Sequence, residues 1–281
     1  MDSKPVRAID SGITVSDVNY LLEVAETAAE ESGKKLLKLF RHPKLSVSRK
    51  YDYPGSIVTN ADKESEKLIL ARIKRSKIKS TVISEEIGTV DFGSRDITWA
   101  VDPLDGTLNF AKGIPHFAIS IGVRVGNRTV AGAIYDPILD EMCTAARGLG
   151  AWLNGKKMRL SNTTTLRNAA VIFEWWAPEP SIPDPLALEK RLYRYTRRVR
   201  SPGSIALNLC SVASGRFDGM ITVHLRSPVW ETVAGCLIIE AAGGRVTNSL
   251  GEGWEDLSRS IIAGPPAFQE RLLKFVRTRA V

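Results

Sequence analysis

Asp102-Pro103-Leu104-Asp105-Gly106-Thr107 sets two carboxylates three residues apart around a proline, directly after the apolar run 97–101. That run reads as a buried strand, so both acids stand just past a strand end and can converge on one point. Gly106 and Thr107 then offer backbone N–H groups at a helix start. Oxygen ligands for a hard cation beside donors for an anion are what phosphoryl transfer requires. The same six residues also suit an ordinary turn, and other acids bear on the choice. Glu85 and Glu86 close the strand-like run 81–84, Asp62 follows the β-branched pair Val58-Thr59, and Glu231 opens an apolar helix ending at Ala242-Gly243-Gly244. Separated acids placed at strand ends and a helix start are poorly explained as solvated surface.

Residues 99–110 fit throughout the pattern Trp-x-x-Asp-Pro-(Leu/Ile)-Asp-Gly-Thr-x-Asn-(Phe/Tyr). Downstream stand Trp230-Glu231-Thr232-Val233-Ala234-Gly235 and Ala241-Ala242-Gly243-Gly244. Together these resemble the two signatures of the inositol monophosphatase family, Mg²⁺-dependent and lithium-sensitive phosphatases related in fold to fructose-1,6-bisphosphatase. The resemblance runs from about residue 17 to about residue 265. It departs at Glu231, where the family has Asp.

The resemblance implies an α/β fold, a layered α-β-α-β-α sandwich forming one domain over residues 1–281. Its half 1–165 would bind metal, and its half 166–281 would line the substrate. It implies two or three Mg²⁺ ions, with Glu85, Asp102 and the Leu104 carbonyl holding one and Asp102, Asp105 and Glu231 another. The nucleophile would be a water near Glu85, oriented and activated by Thr107 and Asp62. Asp62 also suits a cap for a helix beginning at Lys63, and the two roles are compatible. The N–H groups of Gly106 and Thr107 would bind phosphate.

The specificity segment aligns with 202–206, so Gly203, Ser204 and Ile205, with Asp105, would line the leaving-group side. Arg226 either meets a second phosphate or is a surface arginine. The stretch 222–228 looks most like archaeal relatives that also cleave fructose 1,6-bisphosphate. The leading expectation is hydrolysis of an inositol or related sugar monophosphate. Fructose-1,6-bisphosphatase activity, 3′(2′),5′-bisphosphate nucleotidase activity and a non-catalytic anion-binding role stand as alternatives. Asn109 and Phe110 read as structural, Glu86 as a residue orienting Glu85, His116 as a packed turn residue and His42 as surface.

The chain has 281 residues, 43% of them hydrophobic, which is enough for a sizeable core. No apolar run approaches the roughly 20 residues that span a bilayer, and the N-terminus lacks the apolar core of a secretory signal. The expectation is a cytoplasmic protein with no membrane partner, a homodimer acting on a small phosphorylated metabolite. Cys143, Cys210 and Cys236 lie among apolar neighbours and read as buried free thiols. The net charge is +8, and the densest basic run is 190–200. Leu188, Leu192, Tyr195 and Val199 repeat in that region at helical spacing, so the run reads as the solvated face of an amphipathic helix. No nucleic-acid-binding motif accompanies it, and nucleic acid is not expected as a partner.

These residues need elements to position them. Periodicity predicts a helix over 17–40 capped by Ser16, a hairpin or loop over 42–57, and a helix over 63–79. Strands at 81–84 and 97–101 carry the acids. A hairpin folds 117–125 onto 129–135 about Gly126-Asn127, and 152–156 forms a further turn. A strand at 169–173, a proline-rich link at 177–185 and buried helices at 205–214 and 230–242 complete the chain.

Overall fold

The computed structural model describes residues 13–50, 57–94, 96–175, 184–223, 229–254 and 260–278. The first periodic segment folds as helix α1 (Val15–Leu39) and buries Val18, Leu21, Leu22, Ala25, Ala28, Ala29 and Leu36. Its N-cap is Thr14, not Ser16. The Thr14 hydroxyl accepts from the Asp17 N–H, and the Asp17 carboxylate accepts from the Thr14 N–H, a capping box that sets the start. Strand β1 (Val47–Arg49) pairs antiparallel with β2 (Ile57–Thr59), so the described part of 42–57 is a hairpin. Helix α2 (Asn60–Arg75) begins before residue 63, because Thr59 is its N-cap and Asp62 closes a second capping box.

There follow β3 (Thr81–Ser84), β4 (Gly88–Asp91), β5 (Ile97–Asp105), the short helix α3 (Thr107–Ala111), β6 (Ala118–Val125), β7 (Arg128–Asp136), β8 (Glu141–Ala146), β9 (Gly150–Leu153) and β10 (Lys156–Lys157). Gly126 and Asn127 join β6 to β7, as their spacing predicts. The expected strand over 97–101 continues to Asp105. Asp102 pairs with Ser120 and Asp105 with Ala118, with a shift of register between them. The acids therefore stand on a sheet strand that bulges around Pro103, not on a turn after it.

The second half contains β11 (Ala170–Trp175), α4 (Pro185–Tyr195), β12 (Arg198–Arg200), α5 (Ile205–Ala213), β13 (Gly219–Val223), α6 (Val229–Ala241), β14 (Arg245–Thr247), β15 (Ile261–Gly264) and α7 (Pro266–Arg277). Of the proline-rich link, only Asp184 and Pro185 lie within the described residues, as N-cap and first residue of α4. The basic run is not one helix. The α4 helix ends at Tyr195, and Arg198–Arg200 pairs parallel with β11 as an edge strand, so Val199 is buried from a strand.

Among the described residues, an eight-stranded sheet runs in the order β10-β9-β8-β7-β6-β5-β3-β4 and a five-stranded sheet in the order β12-β11-β13-β15-β14. Helices α1 and α2 cover one face of the large sheet, α5 and α6 fill the space between the sheets, and α4 and α7 cover the outer face of the small one. This is the layered α-β-α-β-α sandwich. Strand alternation separates its cores: Val171 and Phe173 join the outer cluster, while Ile172 between them joins the middle one. The three cysteines are free and buried. Among the described residues, no helix is long and apolar enough to cross a membrane.

Two glycines set the depth of α6 on the large sheet. A Cβ at Gly132 would stand 3.0 Å from Ala234 Cα, and one at Gly122 would stand 2.7 Å from Val233 Cγ1. Without side chains there, the helix packs against the sheet backbone and carries Glu231, in its first turn, to the end of β5.

Candidate active site

Strand pairing delivers the acids. β3 runs parallel to β5, and the Glu85 N–H donates to the Val101 carbonyl at 3.2 Å, so Glu85 emerges beside Asp102. The Ser120 hydroxyl donates to the Trp230 carbonyl at 3.2 Å and ties the start of α6 to β6. One carboxylate oxygen from each of Glu85, Asp102 and Glu231 then falls within 4.8 Å of the others.

Asp102 is 1% exposed. Burial, then the charges of Glu85, Asp105 and Glu231, push its carboxyl well above the usual carboxylate range. Glu231 is raised in the same way by burial and by Asp105 and Glu85, with Lys50 opposing. Acids this crowded are unfavourable as anions without a cation among them. Hard oxygen donors around the buried Asp102, with Glu85 and Glu231 partly open to solvent, fit Mg²⁺.

Asp105 is buried beside this trio but has one oxygen committed. Its Oδ2 accepts from the Ser204 hydroxyl and from the Ala206 N–H at 2.8 Å, at the start of α5. Burial raises its pKa to about 6 against those hydrogen bonds. The Leu104 carbonyl accepts from the Thr107 hydroxyl at 3.0 Å, and the Leu104 N–H donates to Asp102 Oδ1 at 3.0 Å.

Asp62 has two tasks. Its Oδ2 accepts from the Thr59 N–H at 2.8 Å and the Thr59 hydroxyl at 2.6 Å, as the capping box requires. Its Oδ1 accepts from the Thr107 hydroxyl at 3.0 Å. Burial lifts its pKa to about 6, with the Thr59 and Thr107 hydrogen bonds opposing. A carboxylate and a hydroxyl so joined can orient a water and take its proton near neutral pH.

Gly106 has φ +89°, and its own Cβ would lie 3.0 Å from the His116 carbonyl oxygen, so the tight turn into α3 favours glycine. The Asn109 amide donates to the carbonyls of His116 at 2.8 Å, Pro202 at 2.9 Å and Gly203 at 3.2 Å. It fastens the 102–110 segment to the 201–204 segment. Gly203 and Ser204 thus lie beside Asp105, with Ser204 as N-cap of α5 and Ile205 its first residue. His116 is half-buried, and burial lowers its imidazole pKa against the charge of Asp136. His42 is exposed. Arg226 lies outside the described residues.

Three polar residues around the site escaped the sequence reading. Lys50 Nζ donates to Glu85 Oε1 at 2.8 Å and to Glu86 Oε1 at 2.7 Å. Burial would lower its pKa, but the two acids raise it overall, so it stays a cation. Burial lifts Glu86 to about 7 against Lys50. Glu66 accepts from the Glu86 and Ile87 N–H groups at 3.2 and 3.1 Å and holds the loop after β3. Glu174 accepts from the Ser201 hydroxyl at 2.6 Å, the Gly203 N–H at 2.8 Å and the Asn208 amide at 2.9 Å. Only Glu66 leaves a sequence signal, four residues after Asp62 on the same helix face.

The model of the inositol monophosphatase family matches residues 17–280. The chain belongs to the inositol monophosphatase family. It is 37% identical over 264 residues to the Nus factor SuhB of Haemophilus influenzae, covering 92% of this chain and 97% of that one. Its fold superposes on the SuhB extragenic suppressor protein of Bartonella henselae with a TM-score of 0.86 at 32% identity, covering 92% of this chain and 99% of that one. It also superposes on the MJ0109 gene product, an inositol monophosphatase-fructose 1,6-bisphosphatase, with a TM-score of 0.77 at 27% identity, covering 90% and 97%. These family members share the layered fold.

Proposed function

We propose that the chain is a Mg²⁺-dependent phosphatase that releases phosphate from inositol monophosphate or a related sugar phosphate by direct attack of water. The observation that carries this is the meeting of the Glu85, Asp102 and Glu231 carboxylates within 4.8 Å, beside the hydrogen-bonded pair Thr107 and Asp62. Glu85, Asp102, Asp105, Glu231 and the Leu104 carbonyl would hold two or three Mg²⁺ ions. Mg²⁺, when bound, supplies charge to stabilise the phosphoryl group and to acidify water.

The protein's own groups do the rest. Thr107 orients the attacking water, and Asp62, with a pKa of about 6, accepts its proton. The N–H groups of Gly106 and Thr107 receive phosphate oxygens. Gly203, Ser204 and Ile205 border the leaving group, held in place by Asn109 and Glu174. Asp105 joins the two sides through Ser204. Arg226 would meet a second phosphate where the substrate carries one. In this reading residues 1–165 bind metal, 166–281 line the substrate and add Glu231, and the enzyme is a cytoplasmic homodimer.

The name Nus factor, carried by relatives at 34–37% identity, favours a second reading in which the chain acts as such a factor without turnover. Phosphate release from inositol 1-phosphate, glucose 1-phosphate, fructose 1,6-bisphosphate and adenosine 3′,5′-bisphosphate, with Mg²⁺ and with a chelator, separates the two. Chelator-sensitive release identifies the enzyme and its substrate class; none on any substrate favours the second reading.

A further inference from the structure

The net charge of the chain is concentrated in one layer. Residues 184–200 and 266–278 form α4, β12 and α7, and they carry nine Lys or Arg against three Asp or Glu. That excess of six is most of the net +8. The apolar faces of both helices are buried against the small sheet, so their charges face outward, across that sheet from the acids.

A cavity of about 330 Å³ opens where the two helices meet. Leu166 and Phe275 give it an apolar lining, and Arg191, Arg271 and Lys274 give it positive charge. No carboxylate lines it among the described residues. Arg191 is fixed in place: its guanidinium lies 4.4 Å over the Phe275 ring, and Nη2 donates to the Phe275 carbonyl at 2.9 Å. Tyr195, one turn after Arg191 on the same helix face, meets the same ring edge-on at 6.0 Å, yet it is 52% exposed. Fixed cations around aromatic surfaces are the chemistry that holds a strand by its phosphates while its unpaired bases stack. A duplex hides its bases and cannot use the aromatic lining.

We infer that the face formed by α4 and α7 binds single-stranded nucleic acid, with one nucleotide seated against Phe275 and Arg191 and the flanking phosphates on Arg271, Lys274 and the basic positions of α4. No nucleic-acid-binding motif marks this face in the sequence. The fold adds that the basic run is not solitary, because α7 lies beside it and the two enclose a cavity. This inference does not rest on the catalytic reading, since none of its residues touches the acids.

Binding of fluorescent 12-mers of RNA and DNA to the full chain tests it, against a duplex of equal length and against a mononucleotide. Three phosphate contacts predict a slope of log K against log salt of about −2 for a single strand. The double variant Arg271→Glu with Lys274→Glu changes exposed residues only, and should weaken strand binding at least tenfold while Mg²⁺-dependent phosphate release stays at the wild-type level. Tyr195→Ala should weaken it less and leave the salt slope unchanged. Binding of the duplex as tight as the single strand, a mononucleotide bound as tightly as the 12-mer, or full binding by the charge-reversed variant would each overturn the inference.

Discussion

The Asp62 carboxylate spans two elements: one oxygen closes the capping box at Thr59 and the other accepts the Thr107 hydroxyl at 3.0 Å. The start of α2 is thereby bonded to the start of α3, and the Asp62–Thr107 pair is built into the fold.

Thr107→Ala should lower kcat by about 10²–10⁴-fold with little change in KM, since orienting the attacking water acts in the transition state. The capping box stays whole, so Tm should hold. Thr59→Ala should do the reverse, costing about 1 kcal/mol of stability through the lost cap. Steady-state kinetics and thermal unfolding of both variants check this. A Thr107→Ala effect confined to KM would make the hydroxyl a binding group.

Metal-free protein should gain stability as pH falls from 8 towards 5.5. Glu86 titrates at about 7 and Asp62 at about 6 in the fold, and Asp102 and Glu231 are also raised. An unfolded carboxylate titrates near about 4. The folded state therefore binds more protons between these values, and this contribution, complete below the unfolded pKa, is lost as pH rises through 6 to 7. Mg²⁺ competes with those protons, so the rise in Tm on adding it should be largest at pH 8 and shrink by pH 5.5. Thermal scans with chelator and with Mg²⁺ give both trends. A metal-free Tm that falls steadily on mild acidification contradicts the burial of these acids.

Lys50→Met should lower the Tm of metal-free protein, because Glu85 and Glu86 lose the cation that pairs with both. Added Mg²⁺ should recover more stability in this variant than in wild type. Equal gains in Tm would show that Lys50 and the divalent ion do not share the same acids.

Much of this site is legible in the sequence because its spacing is local. Asp102, Asp105 and Thr107 lie within six residues, and a capping role for Asp62 was visible, although the cap itself is Thr59 and Asp62 closes its box. Lys50 and Glu174 were not legible, and Glu66 showed only as an acid one helical turn after Asp62. They act on partners about 20 to 36 residues away, so only the folded chain brings them in. Pro103 signalled a turn, yet pairing of Asp105 with Ala118 kept β5 going past it. Helical spacing suggested one helix through Val199, yet the free edge of β11 captured Arg198–Arg200 as a strand. In both places sheet pairing outweighed local preference.

Glu231→Gln should raise the Mg²⁺ concentration for half-maximal rate and depress kcat, since Glu231 brings a carboxylate to the trio. Glu231→Asp should be only partly active, because its side chain is one methylene shorter from the same turn of α6. Phosphate release titrated with Mg²⁺ gives both outcomes. A Glu231→Gln curve matching wild type removes Glu231 from the ligand set.

The central claim is that the acids gathered around Asp102 form a Mg²⁺-dependent phosphatase site, and Asp102 tests it most directly. Asp102 is buried among the charges of Glu85, Asp105 and Glu231, so Asp102→Asn removes the central carboxylate and also relieves repulsion in the metal-free fold. Inorganic phosphate released from the best sugar phosphate should be measured across a Mg²⁺ titration for wild type and Asp102→Asn, with the metal-free Tm of each. The account predicts saturable, chelator-sensitive release by wild type, and none by a variant at least as stable without metal. Release by Asp102→Asn at the wild-type rate under saturating Mg²⁺, or no release by wild type at any Mg²⁺ concentration, would contradict it.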